Sequence, residues 1–225
     1  MSFGRRDFLK FTGIGTLALP RRSESADKPP QPNPKASKMN PRLFTFLVGD
    51  AGPWKIVESK RVIGEGLPEA RALSIVSDFI PAMPDGVAWL LRGVTSNERY
   101  VTRSEKDQLV MNQAGLGRPE TDCAALIPIP KYAAWWAMTQ DVQRKVFEDE
   151  SNHTVTGLKY LPAIARRLHH CRDLHQLEPF DFLTWFEFSK TDTGAFDLLV
   201  KELHATPEWT FVEREVEIRV VRNSD

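Results

Sequence analysis

Residues 209–221, WTFVEREVEIRVV, alternate apolar and charged side chains along their length. A period of two fits an antiparallel strand with one face on a core and the other in water, and it does not fit a helix. The preceding segments limit what such a strand can join. Residues 165–170 (ARRLHH) and 181–188 (DFLTWFEF) are strand-like, with a long turn between them. Residues 195–203 (AFDLLVKEL) carry apolar side chains at helical spacing, and residues 133–152 and 154–160 are helical in pattern. Pro162 keeps one helix from running through 153–166. The order helix, strand, strand, helix, strand belongs to an α+β architecture, an antiparallel sheet with helices packed on it.

The first half carries a rougher version of the same alternation. Residues 43–48 and 87–94 read as strands, 54–62 as an extended piece and 124–129 as a buried strand; 100–102 extend or pair with 87–94. Residues 69–79 have helical spacing, with Pro68 where a first turn tolerates it, so a helix is predicted there. Ser104 is a candidate N-cap for a short helix over 105–110. Gly115, Gly117 and Pro119 make 112–121 a loop. The expectation is two ferredoxin-like halves, 41–122 and 123–225, that together form one antiparallel β-sheet with helices outside.

Ahead of them, MSFGRRDFLKFTGIGTLALP pairs Arg5-Arg6 with Phe8-Leu9-Lys10 and a weakly apolar stretch. This is the pattern of a twin-arginine export signal, placed at 1–26, and it implies a periplasmic protein. No small-x-small motif near Leu19 marks the cleavage point. Residues 27–40 are polar and rich in proline, a linker with too little apolar surface to fold alone.

Composition excludes several function classes. Thirty Lys and Arg balance thirty Asp and Glu, so no global field draws nucleic acid or an anionic membrane, and any charge selectivity is local. No apolar run approaches the roughly 20 residues that cross a bilayer, so no membrane insertion is expected after export. The two cysteines, Cys123 and Cys171, are free to pair in an oxidising compartment. Neither lies in a CxxCH motif, which argues against covalently attached c-type haem.

The chemistry concentrates between Lys131 and Glu208. Read alone, His153 is a capping or surface histidine between two helical segments, Arg166-Arg167 a surface pair, and Trp135-Trp136 core or interface. Strand alternation over 165–170 puts Arg166, Leu168 and His170 on one face and Arg167 and His169 on the other. The cluster HHCRDLH (169–175), with His169, His170, His175 and Cys171, is an alternative zinc or copper site of irregular spacing.

Taken in order, Lys131-x-x-x-Trp135-Trp136, His153, Tyr160-Leu161, Arg166, Phe186-Glu187 and Pro207-Glu208 resemble the chlorite dismutase family of haem b proteins. The resemblance is good over 124–222 and holds in outline over the first half. The short first half resembles the family's dimeric branch, which implies a homodimer of the dimeric α+β barrel type. It implies one haem b per subunit, with His153 as axial ligand to the iron and Glu208 as its hydrogen-bond acceptor, Glu202 and Glu187 being rival acceptors. It implies that Lys131 pairs a haem propionate and that Trp136 packs by the porphyrin. Arg166 becomes the catalytic cation in a pocket walled by Leu168 and Phe186. The implied reaction converts the small anion chlorite to chloride and dioxygen, with Arg166 retaining hypochlorite in the pocket. Alternatives within the fold are a coprohaem decarboxylase, whose members generally lack an arginine at the position of Arg166, and a non-catalytic haem-binding or sensing protein.

Overall fold

The computed structural model describes residues 42–95, 99–174 and 178–223. The export motif and linker expected over 1–40 lie outside them, as does His175 of the HHCRDLH cluster. Strands β1 (Leu43–Gly49), β2 (Trp54–Ile63), β3 (Ala72–Val76), β4 (Val87–Val94), β5 (Cys123–Ile129), β6 (Ala165–His170), β7 (Phe182–Phe188) and β8 (Glu215–Arg222) close into a barrel in the order β1-β3-β2-β8-β5-β7-β6-β4. Every pairing between neighbours is antiparallel. Closure gives each described strand a neighbour on both sides. The helices are α1 (Arg103–Asn112), α2 (Ala133–Trp136), α3 (Gln140–Arg144), α4 (His153–Lys159) and α5 (Thr193–His204), with a π-helical turn, Lys145–Glu150, between α3 and α4.

The two faces of the sheet carry different cores. Inside the barrel, Phe46 and Val48 of β1 meet Leu126 of β5, Leu183 and Trp185 of β7 and Ile218 of β8. Outside it, Ala125 pairs with Phe186 and Phe186 with Arg166; Ile127, Thr184 and Leu168 form the next row; Ile129, Phe182 and His170 the third. Helix α5 lays Phe196, Leu199, Val200 and Leu203 over this outer face. Because β5 is covered on both sides, CAALIPI reads as an unbroken apolar run rather than an alternation. The face assignment for 165–170 holds, with His169 inside and Arg166, Leu168 and His170 outside.

Several local expectations give way to tertiary pairing. Residues 69–79 are not helical: Arg71 donates its N–H to Gly49 and accepts from Ile56, which leads into β3 and turns Leu73 into the barrel. The helix predicted at 105–110 starts at Arg103, with Thr102 rather than Ser104 as its N-cap, because Thr102 and Glu105 form a capping box, the T-x-x-E signature present in the sequence. The helical pattern over 133–152 is divided into α2, α3 and the π turn, since Thr139 is extended and starts a new helix. The alternation over 209–221 begins as a 3-10 turn, Pro207–Phe211, and only Glu215–Arg222 is strand. Among the described residues the first half has no helix between its strands, its one helix, α1, following β4, while α2 to α5 belong to the second half.

Cys123 and Cys171 are both free thiols. No group of three or more metal-ligating side chains forms among the described residues, and His169 and His170 point to opposite sides of the sheet. No described helix is long and apolar enough to cross a membrane.

His169 lies inside the barrel edge-on to the rings of Phe44 and Phe46, with centroids 5.0 and 5.1 Å away. Its Nδ1 donates to the Leu183 carbonyl at 3.2 Å, which leaves Nε2 an unprotonated acceptor with no partner among the described residues. Burial pushes its pKa down from 6.5 to about 4. A base with a lowered folded pKa takes up its proton more readily when unfolded, so stability is complete above about 6.5 and falls as pH drops towards 4. By about pH 5 this residue should cost the fold roughly 2 kcal/mol. Urea unfolding across that range should show a shallower decline for His169→Leu than for the wild type; parallel curves would contradict the assignment.

Candidate active site

Short helix α4 begins at His153, immediately after Asn152 in the left-handed conformation (φ 51°). The Glu148 carboxylate of the π turn accepts the Thr154 N–H at 2.8 Å, satisfying one of the open donors of the first turn. The π turn also swings Phe147 onto the imidazole, stacked at 4.3 Å and 21°. His153 is thereby held in both position and ring plane.

The second constraint on that ring is electrostatic. His153 Nδ1 lies 2.7 Å from Glu208 Oε2, and Lys131 Nζ donates to Glu208 Oε1 at 2.6 Å. Lys131 and Glu208 are both buried, and the ammonium sits 3.5 Å above the Trp135 ring. The 3-10 turn presents Glu208, whose backbone N–H is anchored on Ser151 Oγ at 3.0 Å. Burial alone would raise the Glu208 carboxyl, but attraction from His153 and Lys131 outweighs it and brings the group down to about 2. Burial also lowers the Lys131 ammonium, against the pull of Glu208. The helix side of the site is thus a buried Lys–Glu–His chain that carries Glu208 as an anion.

Facing it across a cavity of about 630 Å3 is the outer face of the sheet. His153, Lys131 and Glu208 line one side, while Arg166, Leu168, Phe186 and Thr184 line the other. Ile127, Ile129, Phe182, Val200 and Leu203 add apolar wall from β5, β7 and α5. Arg166 is half-buried and has no carboxylate partner among the described residues. Burial lowers it to about 10, so it remains a cation at neutral pH. Its guanidinium packs on Gly157, one turn along α4 from His153, where a Cβ would meet Nη1 at 2.0 Å. Gln113 donates to the Arg166 carbonyl at 2.7 Å and ties the loop after α1 to this wall.

This shape suits a flat macrocycle with a metal. A single imidazole has its Nδ1 engaged by a carboxylate, so Nε2 is the nitrogen available to a metal. Gly157 gives the Arg166 guanidinium room against the same helix, and apolar side chains from the sheet and α5 supply broad contact surface, as in cofactor sites generally.

The comparisons agree with that chemistry. The dimeric chlorite dismutase of Nitrobacter winogradskyi is 54% identical, with a TM-score of 0.73, over 80% of this chain and 99% of that one. The chain belongs to the chlorite dismutase family. The chlorite dismutase of Ideonella dechloratans is 31% identical over 120 residues, 52% of this chain and 39% of that protein, so the match spans about two-fifths of that relative. A variant chlorite dismutase from Candidatus Nitrospira defluvii in complex with cyanide is 20% identical, covers 80% and 90% of the two chains and has a TM-score of 0.56, a likeness of fold. No protein-family model matches the chain.

Membership makes the placement of the expected site residues informative. His153, Arg166, Leu168, Phe186, Lys131 and Glu208 all reach the cavity. Glu208 is the acceptor of His153; Glu202 instead binds Lys159 and Tyr160, and Glu187 takes the Trp185 indole N–H. The expectation that Lys131 pairs a propionate is corrected, because its ammonium is held by Glu208 and by the Trp135 face. Trp136 stands behind the wall, stacked on Phe182 at 5.7 Å and donating to Asp181 at 3.0 Å. Asp181 also accepts the Lys131 backbone N–H at 2.7 Å. Sequence reasoning missed Phe147, Gly157 and Asp181. The only local signal was the glycine inside a helical segment, which commonly has a packing reason.

Glu208→Gln should leave the Lys131 ammonium buried without its anion and lower stability by about 3 kcal/mol. Haem affinity should fall roughly 10- to 100-fold as His153 loses its carboxylate. Adding Lys131→Met should recover most of the stability but not the affinity. Chemical denaturation and haem titration of the wild type and the two variants would check both halves, and unchanged affinity in Glu208→Gln would refute the orienting role.

Proposed function

We propose that this protein is a haem b oxidoreductase that converts chlorite to chloride and dioxygen. The observation that carries the reading is one cavity with two opposite electrostatic sides. On the α4 side Glu208 and Lys131 neutralise each other and orient His153. On the sheet side Arg166 is a cation with no carboxylate partner among the described residues. His153 would ligate the iron, and the bound haem would supply the redox chemistry.

The residues of the chain then do three things. Glu208 holds the Nδ1 side of His153 and keeps the imidazole electron-rich. Arg166 attracts the anion and holds the hypochlorite formed from it close to its reaction partner, an effective-concentration effect. Leu168, Phe186 and the other apolar walls exclude water, which strengthens the pull of the guanidinium on a small oxyanion. The reaction ClO2⁻ → Cl⁻ + O2 moves no net proton, so it needs no acid or base. The wall around Arg166 suits that, being Leu168, Phe186, Thr184 and Gln113, with no carboxylate among the described lining residues on that side.

The apolar side chains of Ile127, Ile129, Val200 and Leu203 favour haem b, whose vinyl groups they would contact, over a porphyrin with four carboxylates. The RRDFLK motif supports export to the periplasm, and likeness to a dimeric relative supports a homodimer.

An oxygen electrode reading on haem-loaded protein after chlorite addition tests the activity, with Arg166→Ala alongside. The wild type should release oxygen rapidly, and the variant should inactivate and bleach earlier as hypochlorite escapes. Haem-loaded protein that releases no oxygen would move the function to haem binding or sensing. Equal haem survival in the variant would refute retention by Arg166.

A further inference from the structure

The barrel has a thin seam beside the cavity. Strands β4 and β6 meet at one register pair, Val94 with His170, so the edge of β6 from Arg166 to Leu168 is not covered by β4. Through this opening Phe44, an interior side chain of β1, joins Thr95 and Arg167 on the cavity wall. Arg167 alternates away from the Arg166 face, yet its guanidinium bends over the Phe44 ring at 5.1 Å and stays exposed.

The charges around the cavity single this residue out. Lys131 is paired with Glu208, and Arg99 with Asp173. The two lining carboxylates are occupied as well: Glu208 by Lys131 and His153, and Glu215 by the His204 ring and the Trp209 indole N–H, each at 2.8 Å. Arg166 and Arg167 are the lining Lys and Arg side chains with no carboxylate partner among the described residues. One is half-buried and the other faces solvent. The whole chain is neutral, so the field that an incoming anion meets is set locally.

We propose that Arg167 is a substrate-steering residue, a solvent-facing cation at the β4–β6 seam that draws the small anionic substrate into the cavity and hands it to Arg166. Its position over Phe44 holds the charge at the opening without a counter-ion that would cancel it. A steering charge acts on the encounter rate and not on the bound complex. Replacing it should therefore lower kcat/KM at low salt while leaving kcat unchanged.

The inference rests on the proposed haem site and anionic substrate, and ligand entry tests it separately from turnover. Stopped-flow mixing of haem-loaded protein with azide, an anion, and with imidazole at about pH 8.5, where imidazole is uncharged, reads entry from the Soret band. Arg167→Gln should slow azide entry roughly two- to fourfold at about 10 mM ionic strength and hardly at all near 1 M, where screening is nearly complete. Imidazole entry should be unchanged, and Arg167→Lys should keep the wild-type azide rate. An unaltered azide rate at low salt, a loss shared by imidazole, or a loss that salt does not erase would each overturn the proposal. Protein that binds azide with this salt dependence but does not turn over chlorite would uphold steering and count against the dismutase reading alone.

Discussion

The Glu208 carboxylate holds the helix side of the site together. A buried anion is costly unless both oxygens are engaged, and here one takes the Lys131 ammonium and the other the His153 ring. The three residues come from the segment after β5, the start of α4 and the 3-10 turn before β8, regions far apart in the chain. Their meeting fixes how the helical layer sits on the sheet. It also explains why the Lys131 ammonium, at the cavity wall, is held by a protein carboxylate and an indole. The nearby Asp181 repeats the device on a smaller scale, holding the Lys131 backbone, Trp136 and, at 3.4 Å, Arg172.

The barrel separates stability from chemistry by strand alternation. Side chains that point inward on β6 and β7, His169, Leu183 and Trp185, belong to a dry core with little chemical freedom. Those that point outward, Arg166, Leu168, Phe182 and Phe186, meet α4 and α5 with a cavity between. One strand can thus carry a buried neutral histidine and a cavity-facing arginine three residues apart without either disturbing the other. Placing α4 and α5 on the second half alone gives one such cavity against that face, which agrees with the chemistry-bearing residues clustering after Lys131.

This division decides what was legible in the sequence. Strands β5, β6 and β7 announce themselves by apolar runs and alternation, and the face of Arg166 followed from period two. Helix α5 was visible from its spacing. The apolar residues of 69–79 fit a helix as well as a strand, and only the pairing of Arg71 with Gly49 and Ile56 selects the strand. His153, Arg166 and Glu208 were identified through their resemblance to a known family. The bond between Glu208 and Lys131 was not legible, because no local pattern tells whether an ammonium faces a cofactor carboxylate or a protein one. Phe147 was hidden by the π turn, which shifts the phase of a helix in a way that no 3.6-residue pattern records.

Charge gives the site its direction. On the α4 side each cation has its anion, so that side presents an oriented imidazole with little net field. On the sheet side Arg166 stands against apolar walls, where a cation polarises its surroundings more strongly than in water. A neutral chain adds no background to this contrast. An anion entering the cavity therefore moves away from compensated charge and towards an uncompensated guanidinium. In the proposed reaction that gradient would bring a small anion to Arg166, with Leu168 and Phe186 beside it as apolar wall.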